Sequence, residues 1–325
     1  MDDGFVRVTT LIEMHGAGAE GVGEDVTYEA EDHDRLQEAG AVHDLTRVRT
    51  LGDLGDLLDD LDLFPAPPGM EAFRDYRRWA FESAGLDLAL RQAGTSLAEA
   101  LGVVPRAVRF VASMRFPEPP DAERLLRMLR MLPALEAKLD PTPDWDDDFV
   151  DLVSRTGAVR ILDLKGAYEG TIVDRGADPA LYSRVATGFP DALLEDPRLN
   201  DETRAALGDG VQRVSWDAPI HSLDDVAALD EPPAAINVKP SRVGGLQRLL
   251  ELYAGLADEG IPAYGGGQTE LGVGRGHIQY LAALFHPDGP NDVAPRAYNL
   301  PQPPGDLAAS PMRPQQAATG FRWGR

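Results

Sequence analysis

The chain reads as an α/β protein, a (β/α)7β TIM-like barrel behind an α+β capping domain, and three features of its sequence lead there. From about residue 106 onward short β-like runs alternate with helical stretches at intervals of roughly 20 to 30 residues, the cadence of strand and helix units. The stretch holds eight strand candidates separated by seven helices, which favours a closed barrel over an open doubly wound sheet. The first hundred residues differ, with strand-like runs around glycine-rich turns and a proline-rich spacer. The expected organisation is a capping domain over residues 1–103, a barrel over 104–299 and a tail over 300–325.

In the amino-terminal part, FVRVTTLIEMHG and GVGEDVTYEAEDH suggest antiparallel strands, and FPAPPGM (64–70) leads into a helix, AFRDYRRWAFESAGLDLALRQAG. The barrel strands are expected at 107–116, 134–140, 158–164, 191–196, 211–217, 234–239, 261–265 and 294–299. The intervening segments carry apolar residues at helical spacing; WDDDFVDLVSRTG, for example, opens with acids and stops at Gly157. A long helix is expected over 243–259. The tail, rich in Pro, Gly and Ala, should pack as irregular chain over the capping domain or fray.

Composition removes several classes of function. With 54 acidic and 31 basic residues the net charge is −23, which repels nucleic acid and anionic membranes and makes for a strongly solvated surface suited to high salt. Cysteine is absent, so thiolate catalysis, disulfides and cysteine zinc sites are excluded. The sequence has no apolar run long enough to span a membrane and no secretory pattern at its start, and a cytoplasmic location is expected. Only three of the basic residues are lysine, Lys138, Lys165 and Lys239. Arginine keeps its charge permanently, whereas the lysine pKa moves on burial, so these three are candidate bases.

Parallel barrels gather their chemistry at the carboxyl ends of strands. Here the second strand ends with Lys138 and Asp140, the third with Asp163 and Lys165, the fourth with Glu195, the fifth with Asp217 and the sixth with Lys239. Asp163, Glu195 and Asp217 would aim several carboxylate oxygens at one spot, which calls for a hard cation such as Mg²⁺ or for a raised pKa. Lys138 and Lys239 would flank that spot from opposite sides, each able to accept a proton when partly desolvated.

With FESAGLDLALRQAGTSLAEALG (81–102), KLD, LDLK, LLEDP, SWD, NVKPSRVGGLQRLLEL (237–252) and GGGQTELGVGRGHIQYLAALF (265–285), the chain resembles the enolase superfamily in its muconate-lactonizing and mandelate-racemase branch. The resemblance implies Mg²⁺ on Asp163, Glu195 and Asp217, with Lys239 as one acid/base and Lys138 as its opposite number or the helper beside it. It implies abstraction of the proton α to the carboxylate of a small substrate, through a metal-stabilised enediolate, followed by racemisation or epimerisation, cycloisomerisation or elimination. A homo-oligomer is implied as well.

The chain departs from the pattern in several places. The branch has Lys-x-Lys at the end of the second strand, where this sequence offers Lys138-Leu139-Asp140 or Glu136-Ala137-Lys138. The third strand of the branch ends Asp-x-Asn, and Lys165 takes the asparagine position, where it could meet substrate or share the acid/base role. No histidine ends the seventh strand; His277 falls in the following helix and is read as structural. Glu270 matches an acid common in that loop and is a candidate substrate-side group, as is Asp140. The amino-terminal region is short for the family, and GAGAEGVGED (16–25) resembles a mobile loop that closes over the mouth. Two other readings compete: a dinucleotide site on Gly272, Gly274 and Gly276, weak because the spacing is G-x-G-x-G, and a non-catalytic barrel with a binding or structural role.

Overall fold

The computed structural model describes residues 6–40, 43–168 and 174–324. Phe5, which opens the first strand-like run, and Arg325 at the end of the tail lie outside them. The described chain starts with a hairpin of β1 (Thr10–Gly16) and β2 (Ala19–Asp25), paired antiparallel from Thr10 with Asp25 to Gly16 with Ala19. Helices α1 (Ala30–Ala39), α2 (Leu51–Asp60), α3 (Phe73–Gln92) and α4 (Leu97–Leu101) follow. The EAEDH run, read as strand, belongs mostly to α1.

Residues 16–25, expected as a mobile loop over the mouth, are instead the turn and second strand of this hairpin. Their glycines serve close packing. A Cβ on Gly21 would come within 2.1 Å of the Ala84 carbonyl oxygen, and one on Gly23 within 1.9 Å of the Ala80 carbonyl oxygen, so only glycine lets β2 lie flat on α3. The turn sits at the far end of α3, where Gln92 Nε2 donates to the Gly16 carbonyl at 3.0 Å. The loop after the last barrel strand meets α3 toward its other end, where Gln268 Nε2 donates to Tyr76 Oη at 3.0 Å.

Seven parallel strands form the second sheet in sequence order: β3 (Ala112–Met114), β4 (Ala137–Leu139), β5 (Val159–Asp163), β6 (Leu193–Glu195), β7 (Val214–Trp216), β8 (Ala235–Val238) and β9 (Ala263–Gly265). They alternate with α5 (Glu123–Met131), α6 (Asp147–Ser154), α7 (Pro179–Gly188), α8 (Asp201–Leu207), α9 (Leu223–Ala227), α10 (Pro240–Val243) and α11 (Leu246–Asp258), and α12 (Val273–Phe285) follows β9. Inside the curl, Val111, Ile161, Ala235 and Tyr264 make a buried apolar layer that serves as the floor of the site. No helix among the described residues is long and apolar enough to cross a membrane.

Three expectations are corrected. The eighth strand is absent from 294–299, where Arg296–Asn299 wind as a 3-10 turn. Its place is taken by two residues: Asn291 pairs with Phe110 and accepts from Val111 N–H at 2.9 Å, while Asp292 N–H donates to the Gly265 carbonyl at 2.7 Å. This stitch joins β9 to the chain entering β3. Residues 211–213 belong to a 3-10 turn (Gly208–Arg213) ahead of β7. The helix expected over 243–259 is broken at Gly244, whose φ of 78° only glycine adopts readily; a Cβ there would also strike Asp75 at 2.4 Å.

Buried carboxylates fasten the two parts together. Glu24, at the end of β2, accepts from the backbone N–H groups of Leu271, Gly272 and Gly274 at 2.6 to 2.9 Å. The GVGRG run, the candidate dinucleotide loop, is therefore an anion cradle filled by the protein's own Glu24. Asp87 of α3 accepts from Val22 N–H, from Phe321 N–H and from Arg322 Nε, tying hairpin, helix and tail at one point. The tail also pairs with the barrel, Met312 with Val108.

Two buried histidines hold the barrel wall. His286 Nδ1 meets Asn291 Oδ1 at 2.6 Å and its Nε2 meets Tyr253 Oη at 3.1 Å, and burial pushes it down from 6.5 to about 4. His277 stacks on Phe321 at 4.2 Å, and burial pushes it down to about 3. It has the structural place expected of it.

Two predictions follow from these contacts. Below pH 6.5 the unfolded chain takes up protons at His286 that the folded chain refuses, so its contribution is present above that pH and is lost on acidification toward about 4. Urea unfolding at pH 7 and pH 5 should show His286→Gln losing less stability between the two than the wild type, by about 2 kcal/mol. Glu24→Ala should cost about 2 to 3 kcal/mol in the same assay, because it strands several buried N–H groups, and Glu24→Gln should recover part of that.

Candidate active site

The strand ends above the apolar floor carry the charged residues, and the short register of the sheet aligns them. Asp163 on β5 pairs with Glu195 on β6, and Lys138 sits on β4 beside them. Asn237 of β8 lies two residues before Lys239, which follows the end of that strand. Asp163, Glu195, Asp196 and Asp217 are fully buried, and Lys138, Lys239 and Arg242 nearly so.

Each predicted site residue can be placed. Lys138 Nζ donates to Glu195 Oε1 and lies 3.2 Å from Asp163 Oδ2 and 3.8 Å from Asp292 Oδ2. Lys165 contacts Asp163 twice, its ammonium on Oδ2 and its backbone N–H on Oδ1 at 3.2 Å, and its Nζ is 3.9 Å from Asp140 Oδ2. Lys239 Nζ donates to Asp217 Oδ2 at 2.7 Å, and Gly266 leaves room for its stem, since a Cβ there would lie 2.9 Å from Lys239 Cε. Glu270 is turned into its own loop: Oε1 accepts from Gln268 N–H at 2.7 Å and Oε2 lies 3.5 Å from Arg275 Nη2.

The structure also brings in residues that sequence reasoning missed. Arg242 Nη1 donates to Asp217 Oδ1, and Tyr168 Oη donates to Asp217 Oδ2 at 3.0 Å. Tyr264 Oη and Asn237 Nδ2 both donate to Glu195 Oε2. Asp196 accepts from the backbone N–H groups of Asp217 and Ala218 at 2.8 and 2.9 Å, which fixes the turn that carries Asp217. Asn237 and Tyr264 were within reach of the strand alternation. Asp292 was hidden by the misplaced eighth strand.

The electrostatics follow from this crowding. Burial pushes Glu195 up to about 8 against the pull of Lys138, with Asp163 and Asp217 adding to the rise. Burial, then Asp217 and Asp163, pushes Asp196 up to about 7. Burial works the same way on Asp163 and Asp217, but Lys165 and Lys138 hold the first well below the usual carboxylate range, and Arg242 and Lys239 the second. Burial would drive the Lys138 ammonium down, yet Glu195, Asp163 and Asp292 hold it well above its ordinary value.

Counting the cluster gives its sign. Six carboxylates, Asp140, Asp163, Glu195, Asp196, Asp217 and Asp292, meet four cations, Lys138, Lys165, Lys239 and Arg242, so the cluster would carry two excess negative charges if fully ionised, and the rise of Glu195 and Asp196 toward their protonated forms is the response to that excess. Oxygens of Asp163, Glu195 and Asp196 lie within 4.8 Å of one another. A buried donor set made only of carboxylate oxygens, with no imidazole or sulfur, fits a hard divalent ion. The Lys138 ammonium, between Glu195 and Asp163, shows that a cation is accommodated there.

The chain is similar to known proteins. The chain is 30% identical over 225 residues to an o-succinylbenzoate synthase of Geobacillus stearothermophilus, a match covering 66% of this chain and 58% of that protein. It is 28% identical over 309 residues to an N-succinylamino acid racemase of Thermus thermophilus, covering 89% of this chain and 78% of that protein. Among solved structures, a dipeptide epimerase from Enterococcus faecalis superposes with a TM-score of 0.71 at 17% identity, covering 98% of this chain and 94% of that one. A dipeptide epimerase from Methylococcus capsulatus complexed with Mg ion gives 0.60 at 20% identity, covering 85% and 79%. Other structural neighbours are described as enolase superfamily members, and the barrel with its amino-terminal cap is their fold. Models of a domain of unknown function, DUF8230, match residues 1–100 with the N-terminal domain and 104–300 with the C-terminal domain, and the chain belongs to that family.

Proposed function

We propose that the chain is a Mg²⁺-dependent enzyme that removes the proton α to the carboxylate of a small substrate, leading to racemisation or epimerisation, cycloisomerisation or elimination. The observation that carries this reading is a cluster of carboxylates at the barrel mouth that outnumbers the cations facing it, with oxygens of the buried Asp163, Glu195 and Asp196 within 4.8 Å of one another. The names of the relatives, a synthase, a racemase and an epimerase, are consistent with that range of outcomes.

In this reading Asp163, Glu195 and Asp217 hold the cation. Asp196 orients Asp217, its two oxygens accepting from the Asp217 and Ala218 backbone N–H groups. When bound, the cation supplies Lewis-acid stabilisation to a carboxylate that gains negative charge as its α-proton leaves. The protein's own groups do the rest. Lys239 and Lys138 stand on different strands with the acids between them, so a substrate in the mouth presents its two faces to two amines. Lys239 takes the proton, or returns it, at Nζ. Arg242 and Tyr168 keep Asp217 anionic and fixed while this happens. Tyr264 and Asn237 fix Glu195 by their hydrogen bonds to Oε2.

The test is exchange of the α-proton with D₂O, followed by NMR across acid sugars, N-acyl amino acids, dipeptides and cyclohexadiene carboxylates. At least one class should exchange with added Mg²⁺ and stop in EDTA, and Lys239→Ala should slow exchange at least about a hundredfold. Exchange that survives Lys239→Ala unchanged would remove that residue from the mechanism. Mg²⁺ binding should weaken more in Asp217→Asn than in Asp196→Asn; the reverse order would move the third ligand to Asp196.

A further inference from the structure

Two of the lysines at the mouth each have a second acid waiting at the same distance. Lys138 touches Glu195 and Asp163, with Asp292 at 3.8 Å; Lys165 touches Asp163, with Asp140 at 3.9 Å. The waiting acids are the exposed ones: the Asp140 and Asp292 side chains are 26% and 23% exposed, while Asp163 and Glu195 are 0%. Both ammonium groups therefore sit at inner seats with an empty outer seat beside them.

Lys165 is the one of the two free to use it. Its side chain is 21% exposed, against 3% for Lys138. Its backbone has a φ of 55°, an unfavourable left-handed turn for a side chain with a Cβ, and that turn folds the lysine back over Asp163 two residues earlier. Lys138, enclosed by three acids, lacks such freedom.

We propose that Lys165 and Asp140 form an ammonium exchange pair that sets the metal affinity of the site, Lys165 neutralising Asp163 in the metal-free protein and moving to Asp140 as the dication takes Asp163. The inference rests on the metal reading above. It gives one reason for both departures from the family pattern at this rim: an acid two residues after Lys138 and a lysine two residues after Asp163 are the two halves of a single device. The metal-free site stays paired and folded, and the entering cation competes with a tethered ammonium instead of meeting a bare carboxylate.

Calorimetric titration of EDTA-stripped protein with Mg²⁺ tests this. Lys165→Asn removes the competitor and should bind Mg²⁺ at least about tenfold more tightly than the wild type. Asp140→Asn removes the outer seat and should bind about tenfold more weakly in the wild-type background, yet change affinity by less than about threefold when Lys165→Asn is already present. An acid acting only through its charge would weaken binding equally in both backgrounds, and that result overturns the pair. So does a Lys165→Asn protein that binds no more tightly than the wild type. Should the variants fail to fold, the wild type answers alone: brief acetylation with acetic anhydride, read by mass spectrometry, should label Lys165 severalfold faster with Mg²⁺ than without, relative to Lys239. Unchanged or slower labelling defeats the proposal. If neither wild type nor variants bind Mg²⁺, the metal reading falls with it; if all bind alike, only the exchange pair falls.

Discussion

Burying several carboxylates at one barrel mouth is the constraint to which most of this structure responds. An isolated buried carboxylate costs several kcal/mol or takes a proton. Here each inner acid is met by a cation or by hydrogen-bond donors, all but Lys165 from another strand or loop: Asp163 by Lys138 and Lys165, Glu195 by Lys138, Tyr264 and Asn237, Asp217 by Lys239, Arg242 and Tyr168, and Asp196 by two backbone N–H groups. The partners come from five of the seven barrel strands or the turns after them. The acids can be neighbours only because the barrel brings those strands round to face one another.

The rest of the molecule repeats the device with a different donor. Glu24 and Asp87 are buried carboxylates met mainly by backbone N–H groups, and each joins segments far apart in sequence. Backbone donors are fixed in place and carry no counter-charge, which suits a fastening point. Side-chain cations move and titrate, which suits a site. The chain uses the first kind where hairpin, helix and tail must stay together, and the second at the candidate site, where the proposed function has a substrate and a metal come and go.

Much of the site was legible because lysine is so scarce. Three lysines at strand ends, and acids spaced one per strand unit, mark the candidate site in the letters themselves. The barrel was legible for the same reason, since its strand and helix cadence is a local pattern. What escaped depends on distance in sequence. Arg242 and Tyr168 meet Asp217 from other loops, and no local pattern marks an arginine as a clamp. The eighth strand was sought in APRAYN, a run with β-like character, but closure came from Asn291 and Asp292, which lie in a Gly, Pro and Asn segment that reads as a turn. The glycines of 16–25 looked like mobility because glycine signals freedom in a loop and contact in a sheet packed on a helix with the same letter.

The two-residue stitch at Asn291 and Asp292 has a consequence for how this protein ages and breathes. In a barrel with a full eighth strand, the wall and the reacting groups are separate investments, and a seam can loosen without disturbing what lies at the rim. Here one residue bonds β9 through its backbone and offers its carboxylate to Lys138. Any fluctuation that parts the seam also withdraws an acid from the mouth, so breaches of the enclosure and lapses in the charge pattern coincide in time.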